Sequence, residues 1–132
     1  MSNRQPEQVR ASYDELPGFG SYVLEESYVL GVNAEPGVVR FRLEVVLTPE
    51  HPAYEEPGPG VYLCYRPGEL RFDGVTELDW AGQGAPPATD ASGDVDYGHV
   101  DTMTLQDGVY ALAGDWGSMR VRAASARVAI DD

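Results

Sequence analysis

The chain contains no lysine, a single cysteine and no long apolar run. Without lysine, Schiff-base chemistry and pyridoxal phosphate dependence are excluded, because both use a lysine amine. The lone Cys64 cannot form an internal disulfide, and its strand-forming neighbours predict a buried, unreactive thiol. No apolar run approaches the roughly 20 residues that cross a bilayer, and the polar N-terminus "MSNRQPEQVRASYDELPG" has no apolar signal segment. We therefore expect a cytoplasmic protein.

The familiar catalytic motifs are also missing. The chain has no Walker loop, no G-x-S-x-G nucleophile elbow, no H-E-x-x-H helix and no paired C-x-x-C. We therefore expect no bound cofactor. Whether the protein is an enzyme stays open at this stage, with the balance towards a protein that is not one.

What the chain has in excess is negative charge. Nine basic residues, all of them arginine, face 22 acidic ones, which gives a net charge of −13. Phosphate groups are bound by basic surfaces, so this balance argues against nucleic acid and anionic membranes as partners. It favours a cationic protein partner or a divalent metal. Between Arg71 and Arg120 the only basic side chain is His99, and the acids there are Asp73, Glu77, Asp79, Asp90, Asp94, Asp96, Asp101, Asp107 and Asp115. We expect part of the surface to carry one sign of charge.

The length of the chain and its many glycine and proline residues predict one β domain. A chain of 132 residues suffices for a single core. Its 15 glycines and 10 prolines separate short runs that are rich in valine, tyrosine and leucine, a pattern typical of all-β proteins. We predict a polar, partly ordered N-terminal segment at 1–19 and a single β domain at 20–132.

Alternation of apolar and polar residues locates the strands. The clearest case is "VVRFRLEVVL" (38–47), and the others are 27–32, a hairpin formed by 61–66 and 69–80 around a turn at Pro67-Gly68, and 99–105, 109–114 and 118–130. They predict an antiparallel sandwich or small barrel of six to seven strands, with room for a short helical turn near a terminus. The predicted core includes Phe41, Leu43, Val45, Phe72, Leu78, Trp80 and Val121.

The segment "DASGDVDYGHVD" (90–101) is the first candidate site. Asp90, Ser92, Asp94 and Asp96 have the spacing of the first ligands in a calcium-binding EF-hand loop. The loop lacks the turn glycine and the final glutamate of that motif, so we do not expect tight calcium binding. A solvated acidic loop followed by entry into a strand is the favoured interpretation. A weak metal site with Asp90, Asp94 and Asp96 as ligands is the alternative.

The two histidines give two further candidates. If residues 99–105 are one continuous strand, His99 and Asp101 share a face with Met103 and Leu105. An imidazole beside a carboxylate at the rim of a core is a candidate catalytic pair for acid–base chemistry. His51 and His99, with nearby carboxylates, are candidate ligands of zinc or iron. The competing interpretation of His99 and Asp101 is a hydrogen-bonded structural pair, and nothing in the sequence shows that the two histidines meet.

Aromatic residues beside acids are candidate anchors for a partner. Tyrosine and tryptophan are common anchors at protein interfaces. Trp116, in a predicted tight turn, is expected to be exposed. The predicted partner-binding residues are Asp94, Asp96, Tyr97, Asp115 and Trp116.

The second half of the chain resembles, in its general sequence pattern, a group of small bacterial proteins. "CYRPGELRFDGVTELDW", "DYGHVDTM" and "YALAGDWGSMRV" resemble in style the small acidic β-proteins that actinobacteria encode in number. Some of those are immunity proteins that neutralise a toxin, so the resemblance implies a protein partner.

Our leading hypothesis is a non-enzymatic domain whose acidic, aromatic-bearing surface binds a cationic protein partner, in an immunity-like or regulatory role, as a monomer or weak dimer. Two alternatives stay open. One is a small metal-binding or hydrolytic β-barrel enzyme that uses His51, His99 and nearby carboxylates. The other is a carrier with a small-ligand cavity between its sheets.

Overall fold

The computed structural model describes residues 10–60, 62–82, 88–89 and 95–131. The strands are β1 (Ala11–Ser12), β2 (Tyr22–Glu35), β3 (Val38–Leu47), β4 (Cys64–Asp73), β5 (Glu77–Ala81), β6 (Ala88–Thr89), β7 (Val95–Asp96), β8 (Thr102–Gln106), β9 (Val109–Gly114), β10 (Gly117–Arg122) and β11 (Ser125–Ile130). One 3-10 turn, Tyr13–Glu15, is the helical element of these residues. None of the helical structure in the described ranges is long and apolar enough to cross a membrane.

The strands form two large antiparallel sheets. One has five strands in the order β1-β8-β9-β10-β5, the other has four in the order β11-β4-β3-β2, and β6 and β7 form a small ribbon. The predicted all-β sandwich is confirmed, but its two large sheets contain nine strands among the described residues and not six to seven. The predicted strands 69–80 and 118–130 each divide into two, 61–66 and 69–73 merge, and β1 adds an edge.

Both divided strands bend from one sheet into the other at the same corner. The chain passes from β4 to β5 at Gly74 and from β10 to β11 at Ala124, and the two passages are bonded side by side. The Ala124 N–H donates to the Asp73 carbonyl at 3.0 Å, and the Thr76 N–H donates to the Arg122 carbonyl at 2.9 Å. The two halves of each bent strand therefore contribute to the same core from different sheets, with Phe72 and Val121 buried and Trp80 and Val128 packed against it.

The predicted turn at Pro67-Gly68 is wrong, because both residues lie inside the central strand β4. Glu44 of β3 is in register with Pro67, and Ile130 of β11 is in register with Gly68. A Cβ at Gly68 would lie 2.6 Å from the Ala129 carbonyl oxygen. Glycine is therefore required here for the close approach of β11, and not for a turn.

A single core lies between the sheets. Phe41, Leu43, Val45, Phe72 and Val121 are all 0% exposed, which confirms their predicted place. Cys64 is buried as predicted, with 8% exposure, and Tyr13 and Phe19 of the N-terminal segment also belong to the core.

The prediction for Leu78 is wrong, since its side chain is 39% exposed. The reason is that β5 is an edge strand that pairs with β10 alone. Trp80, on the same strand, is half-buried and packs against the core.

Candidate functional site

The segment that carries His99 connects the two sheets. Along β2, the Tyr97 N–H donates to the Val29 carbonyl and the Val29 N–H donates to the Gly98 carbonyl, both at 2.8 Å. Next to β9, the Asp101 N–H donates to the Ala113 carbonyl at 2.8 Å. The chain therefore leaves the edge of the four-stranded sheet and enters the five-stranded sheet over a few residues.

This crossing changes the face on which Asp101 lies relative to Met103. Val100 and Met103 are each 1% exposed, whereas Asp101 is exposed. In one continuous strand Val100 and Met103 would point to opposite faces. The prediction that His99 and Asp101 share the face of Met103 is therefore wrong, because β8 begins only at Thr102. The described ring contact of His99 is with Tyr28.

Three aromatic rings lie together on the outer side of the four-stranded sheet. The Tyr28 ring is 4.6 Å from that of His99 and 5.8 Å from that of Tyr65, with an interplanar angle of 28° in the second pair. All three residues are half-buried. Tyr28 is the register partner of Glu44. We call these three rings, together with Glu26 and Glu44, the tyrosine–histidine patch.

The electrostatics of the patch are those of phenols in a negative field. The pKa of Tyr65 is raised, first by burial, then by Tyr28, and also by the charge of Glu26. A negative charge nearby favours the neutral phenol. Tyr65 therefore presents a neutral ring next to a carboxylate, an arrangement that attracts a cation through both ring and charge.

A large bulge in β2 positions Tyr28, and it explains why the sequence did not single this residue out. The register between β2 and β3 shifts between Val23 and Tyr28. Inside the bulge Ser27 is 0% exposed, and its hydroxyl donates to the Val23 carbonyl at 2.7 Å while accepting from the Val46 N–H at 2.9 Å. A side-chain hydroxyl thus replaces a missing ladder partner. Unbroken alternation from the buried Tyr22 and Leu24 would place Tyr28 on the inner face, whereas the extra residues of the bulge place it on the outer face.

Two of the predicted partner-binding residues lie beside His99. The Asp115 side chain covers the backbone of Gly98, where a Cβ would lie 2.8 Å from Oδ2, and Asp115 is exposed. Tyr97 is half-buried and packs against the core. Asp90 and Asp94 lie outside the described residues, and for Asp96 only the backbone, in β7, is described.

The prediction that Trp116 is an exposed anchor is wrong. Its side chain is 2% exposed, and its ring packs edge-on against Phe41 with centroids 5.0 Å apart. The indole Nε1–H donates to the His99 carbonyl at 3.1 Å. Gly114 makes room for this contact, because a Cβ there would lie 2.1 Å from the same oxygen. Trp116 therefore holds the backbone of His99 from inside the core.

His51 has both ring nitrogens engaged in structural hydrogen bonds. The Ala53 N–H donates to Nδ1 at 2.9 Å, and Nε2 lies 3.0 Å from the Tyr22 hydroxyl. In the neutral ring Nε2 therefore carries the proton and donates it to the Tyr22 oxygen. Burial, and then the charge of Arg66, lower the pKa of His51.

The described residues do not assemble the predicted metal site. His51 contacts the start of β2 at Tyr22, whereas His99 contacts Tyr28 beyond the bulge. Within the described ranges no group of three or more histidine, cysteine, aspartate or glutamate residues is placed to hold a metal ion.

Three open cavities lie on the outer face of the five-stranded sheet, with volumes of about 460, 350 and 260 Å³. Arg120 lines all three, and neither histidine lines any of them. These cavities lie outside the sandwich, unlike the small-ligand cavity between the sheets that was one predicted alternative.

The fold and these surfaces define an all-β sandwich domain with the tyrosine–histidine patch on one sheet and open cavities on the other. No protein-family model, no curated protein and no solved structure matches the chain.

Proposed function

We propose that the protein is a non-enzymatic binding domain whose tyrosine–histidine patch receives an arginine or lysine side chain of a cationic protein partner. An immunity-like or regulatory role suits such a domain. The observation that carries the proposal is the group of three half-buried rings, Tyr28, Tyr65 and His99, on a face that also carries Glu26 and Glu44.

The physical basis is the attraction of a cation to aromatic faces and carboxylates together. A guanidinium or ammonium group within about 6 Å of a ring is stabilised by roughly 0.5–2 kcal/mol, and more strongly where water is excluded. Half-buried tyrosines lose little conformational entropy when a partner covers them, which makes them good anchors. The net charge of −13 would speed the approach of a basic partner.

The rival enzymatic hypothesis gains no support from the described residues. A hydrolytic or metal-dependent site needs ionisable groups that converge in a cleft. Both nitrogens of His51 are already hydrogen-bonded, and the His99 ring lies against that of Tyr28 at an interplanar angle of 50°. A binding surface requires no cleft, so the patch geometry supports the non-enzymatic proposal better.

Calorimetric titration with a hexa-arginine peptide tests the proposal. The variant Tyr65→Leu keeps apolar bulk but removes a ring, and Tyr62→Leu is its matched control because Tyr62 is 90% exposed. We expect Tyr65→Leu to weaken binding about fivefold, as loss of one cation–π contact implies, and Tyr62→Leu to bind like the wild type. Thermal melting checks that both variants are folded. If they are, equal affinities of the two variants would contradict the proposal.

A further inference from the structure

The outer face of the five-stranded sheet is recessed because its central side chains are small. Pairing between the strands places the outward residues in rows that run across β8, β9, β10 and β5. The rows are Thr102-Ala113-Ser118-Ala81, Thr104-Ala111-Arg120-Asp79 and Gln106-Val109-Arg122-Glu77. Alanine, serine and threonine form the floor, and longer side chains rise around it. We call this surface the arginine trough.

Three arginines converge on one cavity of the trough. Arg10, Arg120 and Arg122 line the cavity of about 350 Å³, together with Thr104 and Gln106, and Asp107 is the one carboxylate among its lining residues. Its volume is within the roughly 300–1,000 Å³ typical of small-molecule sites. In a chain with 22 acids and nine arginines, a cavity lined by three guanidinium groups is a local reversal of charge.

The arginines of the trough are not all neutralised by neighbours. Arg122 is paired with Glu77 at 3.5 Å and donates to the Asp107 carbonyl at 3.2 Å. No ion pair joins Arg10 or Arg120 to a carboxylate of the described residues, although Asp79 is the register partner of Arg120. The donors of Arg120 are thus available to a ligand.

We propose that the arginine trough binds a small, multiply charged oxyanion whose phosphate or carboxylate groups contact Arg10, Arg120 and Arg122. Guanidinium groups bind both kinds of oxyanion through paired N–H donors, and the Thr104 hydroxyl is a further donor at the wall. This site is separate from the tyrosine–histidine patch and does not depend on the function proposed for it.

Calorimetry with pyrophosphate and with citrate tests this site and separates the two sources of oxyanion. Each titration is run against sodium chloride of equal ionic strength. We expect saturable binding of at least one of the two anions by the wild type and none of chloride. Binding of pyrophosphate alone indicates a phosphate ligand, and binding of citrate alone indicates a carboxylate ligand. Saturable binding of neither anion would overturn the proposal.

Two arginine variants locate the binding. Arg120→Gln removes a guanidinium that has no described ion pair, and Arg127→Gln is the matched control on the other sheet, where the side chain is 65% exposed. We expect Arg120→Gln to weaken anion binding about tenfold, since charge-assisted bonds dominate such sites, and Arg127→Gln to leave it unchanged. Equal effects of the two substitutions would contradict the assignment. Hexa-arginine binding should be unchanged in Arg120→Gln, so the two proposals fail independently.

Discussion

The two outer faces of the sandwich use arginine in different ways. On the four-stranded sheet, arginines form ion pairs with neighbouring carboxylates, namely Arg40 with Glu35, Arg42 with Asp131, Arg71 with Asp73 and Arg127 with Asp73. On the five-stranded sheet, Arg120 stands over a floor of small side chains and has no such partner among the described residues. The four-stranded face neutralises its own cations, whereas the five-stranded face pairs Arg122 with Glu77 and leaves Arg120 without an ion pair among the described residues.

The difference shows that net charge is a poor guide to local chemistry. A total of −13 describes only the average of the surface, whereas the charge at a cavity depends on which side chains the strand register brings together. Ala111 lies between Thr104 and Arg120 in one row, so a recess forms beside a cation. The tyrosine–histidine patch is found instead where β2 bulges at the edge of the other sheet.

The largest effect on stability is expected from Trp116→Ala. This substitution removes part of the core on which both outer faces rest, so both should lose their structure together. The substitution deletes a ring that packs on Phe41 and the donor to the His99 carbonyl. Truncation of a buried aromatic residue costs about 3–5 kcal/mol of unfolding free energy. Urea denaturation of this variant and of Trp116→Phe measures the loss, which should be smaller for phenylalanine. A cost under about 1 kcal/mol for alanine would show that Trp116 is not a core residue.

A smaller effect is expected from salt on the rate at which a cationic peptide associates with the tyrosine–histidine patch. If the negative field steers a cationic partner, raising ionic strength from about 10 to 150 mM should slow the association of hexa-arginine severalfold, while its dissociation rate changes little. Stopped-flow fluorescence gives both rates. An association rate that does not change with salt would contradict electrostatic steering.

The paired and unpaired arginines should differ slightly in their effect on stability. Arg42 and Asp131 have side chains 44% and 42% exposed, so solvent screens their pair and its loss in Arg42→Gln should cost no more than about 1 kcal/mol. Arg120→Gln breaks no described ion pair and should leave the free energy of unfolding unchanged. Chemical denaturation of both variants makes the comparison. It fails if Arg120→Gln proves to be the more destabilising substitution.

The same pair should give the smallest effect, a dependence of stability on acid pH. The hydrogen bond from Arg42 is the main cause that lowers the pKa of Asp131 below the 3.8 of an unperturbed aspartate. The folded state therefore holds this proton less tightly than the unfolded state, so the stabilisation is complete above the unperturbed pKa and is lost as the pH falls through the folded pKa. The difference in Tm between the wild type and Asp131→Asn should shrink in that range. A constant difference would show that the pair is not formed.

Local alternation predicted much of the fold. The strand 38–47 is observed as β3, Val38–Leu47, because one of its faces is buried throughout while the other is half-buried or exposed from Val38 as far as Glu44. The corner at Gly74 and Ala124 was not predictable. Phe72 and Trp80 keep one parity across the first bend, and the change of parity between Val121 and Val128 at the second does not distinguish a bulge from a change of sheet. Only pairing between distant segments reveals the change of sheet.

The candidate site was harder to predict than the fold. His99 and Tyr97 were identified from the segment 90–101 and Asp115 from its place beside Trp116, but Tyr28 was hidden by the bulge of β2. Trp116 was predicted to be exposed because turn residues usually face solvent. Its side chain instead points into the core, where the indole N–H donates to the His99 carbonyl. Both errors arise from contacts between residues that are far apart in the chain, which local patterns do not encode.

We propose that the tyrosine–histidine patch binds a cation and that the arginine trough binds an anion. One NMR measurement on the labelled wild-type protein tests this difference most directly. Backbone amide shifts are followed during separate titrations with hexa-arginine and with pyrophosphate or citrate. We predict that the peptide shifts residues around Tyr28, Tyr65 and His99, and that the anion shifts residues around Thr104, Ala111 and Arg120. Perturbation of the same residues by both kinds of ligand would contradict the account.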